Sequence, residues 1–185
     1  IDNKKSIYIT SQTNNNKITI GKISIRNDFD NFKKIYQSED NTNYVFQLSN
    51  NQAITLSINY DDTLLEVAQN LNNKHLTKWL KKNNITNDIE LLKHLKDAKQ
   101  KTNILSNLQQ IKTKNALQTY TTTIASSLDN LTIIEGDITG YIYNSHNKRV
   151  VYLLKNNKRY ALCFTGIDYF TDDYITELLT TITIE

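Results

Sequence analysis

Near the end of this chain three apolar runs, residues 138–143, 149–154 and 159–164, are separated by two short polar gaps. The gaps read Asn144-Ser145-His146-Asn147 and Lys155-Asn156-Asn157-Lys158. A linker of that length reverses the chain and leaves no room for a crossover helix, so the three runs form an antiparallel meander. Residues 150–154 are apolar throughout apart from one tyrosine hydroxyl. That strand is therefore expected to be central and covered on both faces. The chain has no proline and only four glycines. Asparagine must take over its turns, because its side chain mimics a backbone turn and tolerates positive φ.

Alternation also marks the beginning of the chain. Ile7 and Ile9 alternate with polar neighbours, the Asn14-Asn15-Asn16 cluster turns the chain, and Ile18 and Ile20 resume the pattern. Ile23 and Ile25 continue on the opposite parity, which places a bulge or bend at Gly21. Residues 28–37, with Phe29, Phe32, Ile35 and Tyr36, read as a short helix. Tyr44, Phe46 and Leu48, then Ile54, Leu56, Ile58 and Tyr60, form a hairpin around Ser49-Asn50-Asn51-Gln52. Thr63 and Glu66 have the spacing of a capping box for a helix carrying Leu64, Ala68 and Leu71.

The middle is helical. Leu76, Trp79 and Leu80 share one short helix that ends at Asn83-Asn84, and Ile89, Leu92 and Leu95 mark the next. A third stripe runs through Ile104, Leu105, Leu108 and Ile111. The Thr and Ser density over residues 118–130 points to a connecting segment. Thr171 caps a helix reaching about Leu179, and Ile182 and Ile184 alternate on a last strand. The expected fold class is α+β: N-terminal β-hairpins with a capped helix, a helical middle, then a C-terminal antiparallel meander with one helix and a final strand. The expected organisation is a single compact unit over residues 1–185. Within it, 1–73 is β-rich with a helix, 74–129 is helical and basic, and 130–185 is the meander plus helix.

Composition narrows the functional classes. No apolar run approaches the roughly 18–20 residues of a membrane helix, so no transmembrane segment is expected. Cys163 is the only cysteine, which rules out an intramolecular disulfide and a Cys-rich zinc site. The first residue is Ile1, which a reading of the chain as a processed product would explain. Net charge is +3, but residues 74–114 hold ten lysines against Asp88, Glu90 and Asp97, a local balance of +7. The remainder is 3 − 7 = −4. Such asymmetry marks a candidate surface for an anionic partner, with Lys74, Lys78, Lys81 and Lys82 as its anion-binding residues.

Nothing in the sequence assembles catalytic chemistry. His75, His94 and His146 lack metal-ligand spacing, and Ser145-His146 adjoin in a turn, where adjacency does not bring a nucleophile to its base. Asp168, Asp172, Asp173 and Glu177 gather at a helix start, where the helix dipole favours acids. Neither a metal site nor a cofactor site is expected.

Residues 159–168, Arg-Tyr-Ala-Leu-Cys-Phe-Thr-Gly-Ile-Asp, are followed by Asp173-Tyr-Ile-Thr-Glu-Leu178. With the strand leading in from Gly140, this stretch of residues 140–179 resembles the F-R-G-T-D segment of class-three-type lipases, within the α/β-hydrolases. The resemblance implies a central strand over 160–164 and an oxyanion-like loop at Thr165, Gly166, Ile167 and Asp168. It further implies a helix over 171–179 packed on the sheet. The family's Arg is Thr165 here, its hydroxyl residue is Ile167, and no G-x-S-x-G elbow occurs in the chain. Without a nucleophile no acyl-enzyme forms. The leading expectation is therefore a non-catalytic interaction module, of accessory, effector or virion type, that binds another protein or joins a larger assembly. The chain's 11 tyrosines favour such contacts. The alternatives are the N-terminal part of, or a degenerate relative of, a lipase-like α/β-hydrolase, and anion or nucleic-acid binding through residues 74–114.

Overall fold

The computed structural model describes residues 5–101, 108–123 and 131–185. The fold is α+β, with a β-rich N-terminal part, a helical middle and a C-terminal antiparallel meander bearing one helix. The chain divides into two compact units: Ile1–Asp61 together with Leu131–Glu185, and Asp62–Asn130.

The first unit contains all the described strands: β1 (Lys5–Ile9), β2 (Lys17–Ile20), β3 (Ile23–Arg26), β4 (Phe32–Gln37), β5 (Asn43–Leu48), β6 (Thr55–Asp61), β7 (Leu131–Gly136), β8 (Thr139–Ser145), β9 (Lys148–Lys155), β10 (Lys158–Thr165) and β11 (Thr183–Ile184). Eight of them form one sheet in the order β1-β7-β8-β9-β10-β6-β5-β4, and β11-β3-β2 form a second. The meander is consecutive in the sheet, and β9 is internal, with Val150, Val151 and Leu153 buried. Asparagine does serve the turns. Asn41, Asn147, Asn156 and Asn157 have positive φ in hairpin turns, and Asn72 and Asn84 have it just past helix ends, where glycine is usual.

One face of the large sheet carries Ile58, Tyr160, Leu162, Phe164, Val151, Leu153, Ile142 and Ile134. These residues share a single core with Ile20, Ile23 and Ile25 of the small sheet. The helix Asp172–Leu179 of this unit contributes Ile175, Leu178 and Leu179 to the same core. Thr171 caps that helix by accepting from the Tyr174 N–H at 3.2 Å. Arg26 fastens the helix to β3. Its guanidinium meets Asp28 at 2.7 Å and Glu177 at 2.7 Å, and the Tyr174 hydroxyl donates to Asp28 at 2.7 Å.

The second unit holds α1 (Leu64–Asn70), α2 (Lys74–Lys82), α3 (Asp88–Lys101) and α4 (Leu108–Thr123); the helix of the β unit is thus α5. The Thr63 hydroxyl caps α1 by accepting from the Glu66 N–H at 3.2 Å. The buried Asp88 carboxylate, at the start of α3, accepts from the N–H groups of Leu64 and Leu65, both at 2.9 Å. The buried Tyr120 hydroxyl of α4 donates to the Leu64 carbonyl at 2.5 Å. Both ties fix the first turn of α1, where backbone donors otherwise lack partners.

Two readings of the sequence are corrected and a third is narrowed. Residues 28–37 contain strand β4, not a helix. The register of β4 against β5 shifts between Lys34 and Tyr36, and this bulge breaks the period-2 alternation into a spacing that imitates a helical stripe. Of the bulge or bend expected at Gly21 the structure has the bend: Gly21, with φ of +60°, is the first residue of a two-residue hairpin turn pairing Ile20 with Ile23. Residues 118–123 belong to α4. The Thr119 and Thr122 hydroxyls donate to the carbonyls of Asn115 and Gln118, four residues back, so the threonines satisfy themselves within the helix. Ile1, Ile104, Leu105 and residues 124–130 lie outside the described residues.

Candidate functional site

Helix α2 presents the lysines singled out in the sequence. Asn73 caps it, its side-chain oxygen accepting from the N–H groups of His75 at 3.0 Å and Leu76 at 3.1 Å. Leu76 and Leu80 are buried, whereas Lys74, Lys78, Lys81 and Lys82 are all exposed. At 100° per residue the four ammonium-bearing positions fall within about 100° of arc. The fold therefore gathers them on one helical face. None of them makes an ion pair with a described residue, and the helix itself contains no acid. Trp79 is half-buried, edge-on to His94 at 6.2 Å, and His94 Nδ1 lies 2.8 Å from the Glu90 carbonyl.

The loop after β10 is differently disposed. The Gly166 N–H donates to the Asn147 carbonyl at 2.9 Å, and the Ile167 N–H donates to Asn147 Oδ1 at 3.1 Å. Asp168 is exposed and Thr165 half-buried. Both amides that would serve an oxyanion are held by the turn between β8 and β9. Ser145, the last residue of β8, and His146, in that same turn, are both exposed. Arg149 braces the loop from below. Its Nε donates to the Phe170 carbonyl at 2.6 Å, and the guanidinium also pairs with Asp172. The acids at the start of α5 are accounted for in this way: Asp172 by Arg149, Glu177 by Arg26, and Asp172 and Asp173 by the helix dipole. Among the described residues no three His, Cys, Asp or Glu side chains come together in a way that could hold a metal ion. Cys163 is half-buried on β10.

Two features went unread in the sequence. The first is a tyrosine ladder on the face of the meander opposite the core. The rings of Tyr141 and Tyr143 lie 5.0 Å and 5.8 Å from that of Tyr152, and Arg159 stands 4.5 Å over the Tyr152 ring. Arg159 also donates to the Tyr141 hydroxyl at 3.1 Å and lies 4.0 Å from Asp61, while its buried Nε meets no acceptor among the described residues. Burial, then the Tyr143 hydroxyl, pushes the Tyr152 phenol well above its usual range. Strand register brings these residues together, and no local sequence signal announces it.

The second is the edge of the large sheet. Among the described strands β4 pairs only with β5, and Ile35 and Tyr36 are 52% and 54% exposed. Lys33 and Lys34 are exposed beside them. Phe32 turns inward and meets Phe29, Tyr169 and Phe170 with ring centroids 5.3 to 6.2 Å apart, and Tyr169 is itself 43% exposed. A doublet of lysines inside an apolar run is the available sequence signal for a strand edge.

No helix among the described residues is long and apolar enough to cross a membrane. Compared with protein-family models, with curated proteins and with solved structures, the chain matches none.

Proposed function

We propose that this chain is a non-catalytic interaction module that accepts an extended segment of a protein partner as an added strand on β4. The observation that carries this reading is the edge position itself: among the described strands none pairs with the outer side of β4, and two large side chains there, Ile35 and Tyr36, are more than half exposed. Main-chain hydrogen bonds would supply affinity, and the exposed side chains with the Phe32–Tyr169 aromatic corner would supply selectivity. The absence of catalysis in this reading is supported by the engagement of the Gly166 and Ile167 amides with Asn147, and by the lack of an elbow serine.

The test compares wild type with the Ile35→Lys, Tyr36→Lys double variant in affinity capture from the native source. Hydrogen exchange is then measured on the purified complex. The expected result is a partner retained by wild type and lost by the variant, with new protection on β4 amides. A partner held equally by both, protection that bypasses β4, or a monomer that captures nothing would overturn the proposal.

A further inference from the structure

The lysine face of α2 is a second surface, in the other unit, and its arrangement works against the helix that bears it. Lys81 and Lys82 sit in the last turn, where the helix dipole favours cations. Lys74 is the first residue of the helix, where the dipole disfavours a cation, and no acid shares that turn. Lys74 and Lys78, and Lys78 and Lys82, are like charges at i,i+4, which is a repulsive spacing. The dipole therefore accounts for two of the four lysines and leaves the rest of the stripe without a structural reason. An anion laid along the face would turn the same repulsion into attraction.

We infer that Lys74, Lys78, Lys81 and Lys82 form a binding face for the phosphate backbone of duplex nucleic acid, read without regard to sequence. Along the helix axis the four positions stand at about 0, 6, 10.5 and 12 Å, so the face is a line of charge and suits a linear, repeating anion. Lysine ammoniums are point charges without the planar fork of arginine, which fits phosphate contact and not base reading. The His75 and Leu76 N–H groups at the start of α2 are held by Asn73, so the lysine side chains are the donors offered to a ligand. A membrane surface fits less well. An interfacial helix needs a free apolar face, and Leu76 and Leu80 of α2 are buried in their own unit. Single strands fit less well too, because they call for exposed stacking rings, and Trp79 is half-buried against His94.

The experiment is fluorescence anisotropy of a labelled mixed-sequence DNA duplex titrated with the full chain across a salt series. Four phosphate contacts predict a slope of log K against log salt of about −3.6 for wild type. Lys78→Gln should reduce that slope by about 1. Replacing all four lysines by glutamine should abolish binding with unchanged circular dichroism, whereas Lys33→Gln with Lys34→Gln on β4 should leave it intact. If the quadruple variant fails to fold, the wild-type slope and the Lys78→Gln slope still decide the matter. Salt-independent binding, no binding at low salt, a folded quadruple variant that binds like wild type, or binding to phosphatidylserine vesicles in place of DNA would each overturn the inference. Because β4 lies outside this face, the outcome is independent of the strand-addition reading.

Discussion

The β unit is assembled from both ends of the chain, whereas the helical unit is one uninterrupted stretch. In the β unit, neighbours in space are often remote in sequence. β1 runs parallel to β7, and β6 lies against β10, pairing Ile58 with Leu162. Arg26 reaches across 151 residues to Glu177. In the helical unit the ties span less sequence: Thr63 caps α1, Asn73 caps α2, and the first turn of α1 is held by Asp88 from 24 residues on and by Tyr120 from 56 residues on. The difference shows where each unit is vulnerable. A sheet built from distant segments fails when two strands cannot approach, and a helical unit loosens when a backbone donor loses its acceptor.

The largest effect is expected at Gly140. A Cβ there would stand 1.9 Å from the Tyr152 carbonyl oxygen, a backbone atom of the adjacent strand that cannot swing aside. Gly140→Ala should destabilise the β unit by about 3 kcal/mol or more, read as a lower urea midpoint. A midpoint equal to wild type would mean that β8 and β9 do not meet at this register.

Alkaline pH should act on the same unit. Burial raises the phenols of Tyr60, Tyr152 and Tyr174 above the ordinary value of 10.0, and for Tyr174 the hydrogen bond to Asp28 adds to it. A raised folded-state value means stability is intact below pH 10.0 and is lost as pH climbs through the folded values. The urea midpoint should therefore fall once pH passes 10.0, and less steeply in Tyr174→Phe. A midpoint indifferent to that range would contradict the burial of these hydroxyls.

In the helical unit Asp88→Ala should cost about 2 kcal/mol, because the Leu64 and Leu65 N–H groups lose their acceptor. Asn73→Ala should cost about 1 kcal/mol by uncapping α2. Equal losses from the two variants would show that the distant tie of α3 to α1 matters no more than a local cap, which sharpens the contrast between the units. The smallest effect is expected from Lys82→Gln, whose exposed side chain makes no ion pair with a described residue: thermal stability should not fall. A clear loss would give that lysine a structural role.

Much of the fold was legible wherever one period held for a whole element. The meander, the hairpin of β5 and β6, the capped helices α1 and α5, and helix α2 by its apolar stripe and its Asn83-Asn84 end follow from alternation, helical spacing, capping residues and asparagine-rich turns. The lysine face of α2 was legible too, because all four residues lie on one short helix and the helical repeat alone aligns them. β4 was not legible. Its bulge shifts the alternation by one residue, and its status as an edge depends on which strands fail to pair with it. The end of α4 was missed because a threonine run has low intrinsic helix propensity, and here hydroxyl-to-carbonyl bonds and the buried Tyr120 hold it.

Sequence alone determined the fold class, the positions of most turns and the basic character of the middle, since each depends on neighbours within a few residues. Tertiary structure decided that β1 joins β7 in parallel, that Arg159 stacks on the tyrosine ladder, and that Asn147 takes up the amides of Gly166 and Ile167. Each of these depends on which distant backbone arrives alongside, and no periodic signal within one segment encodes the register of another.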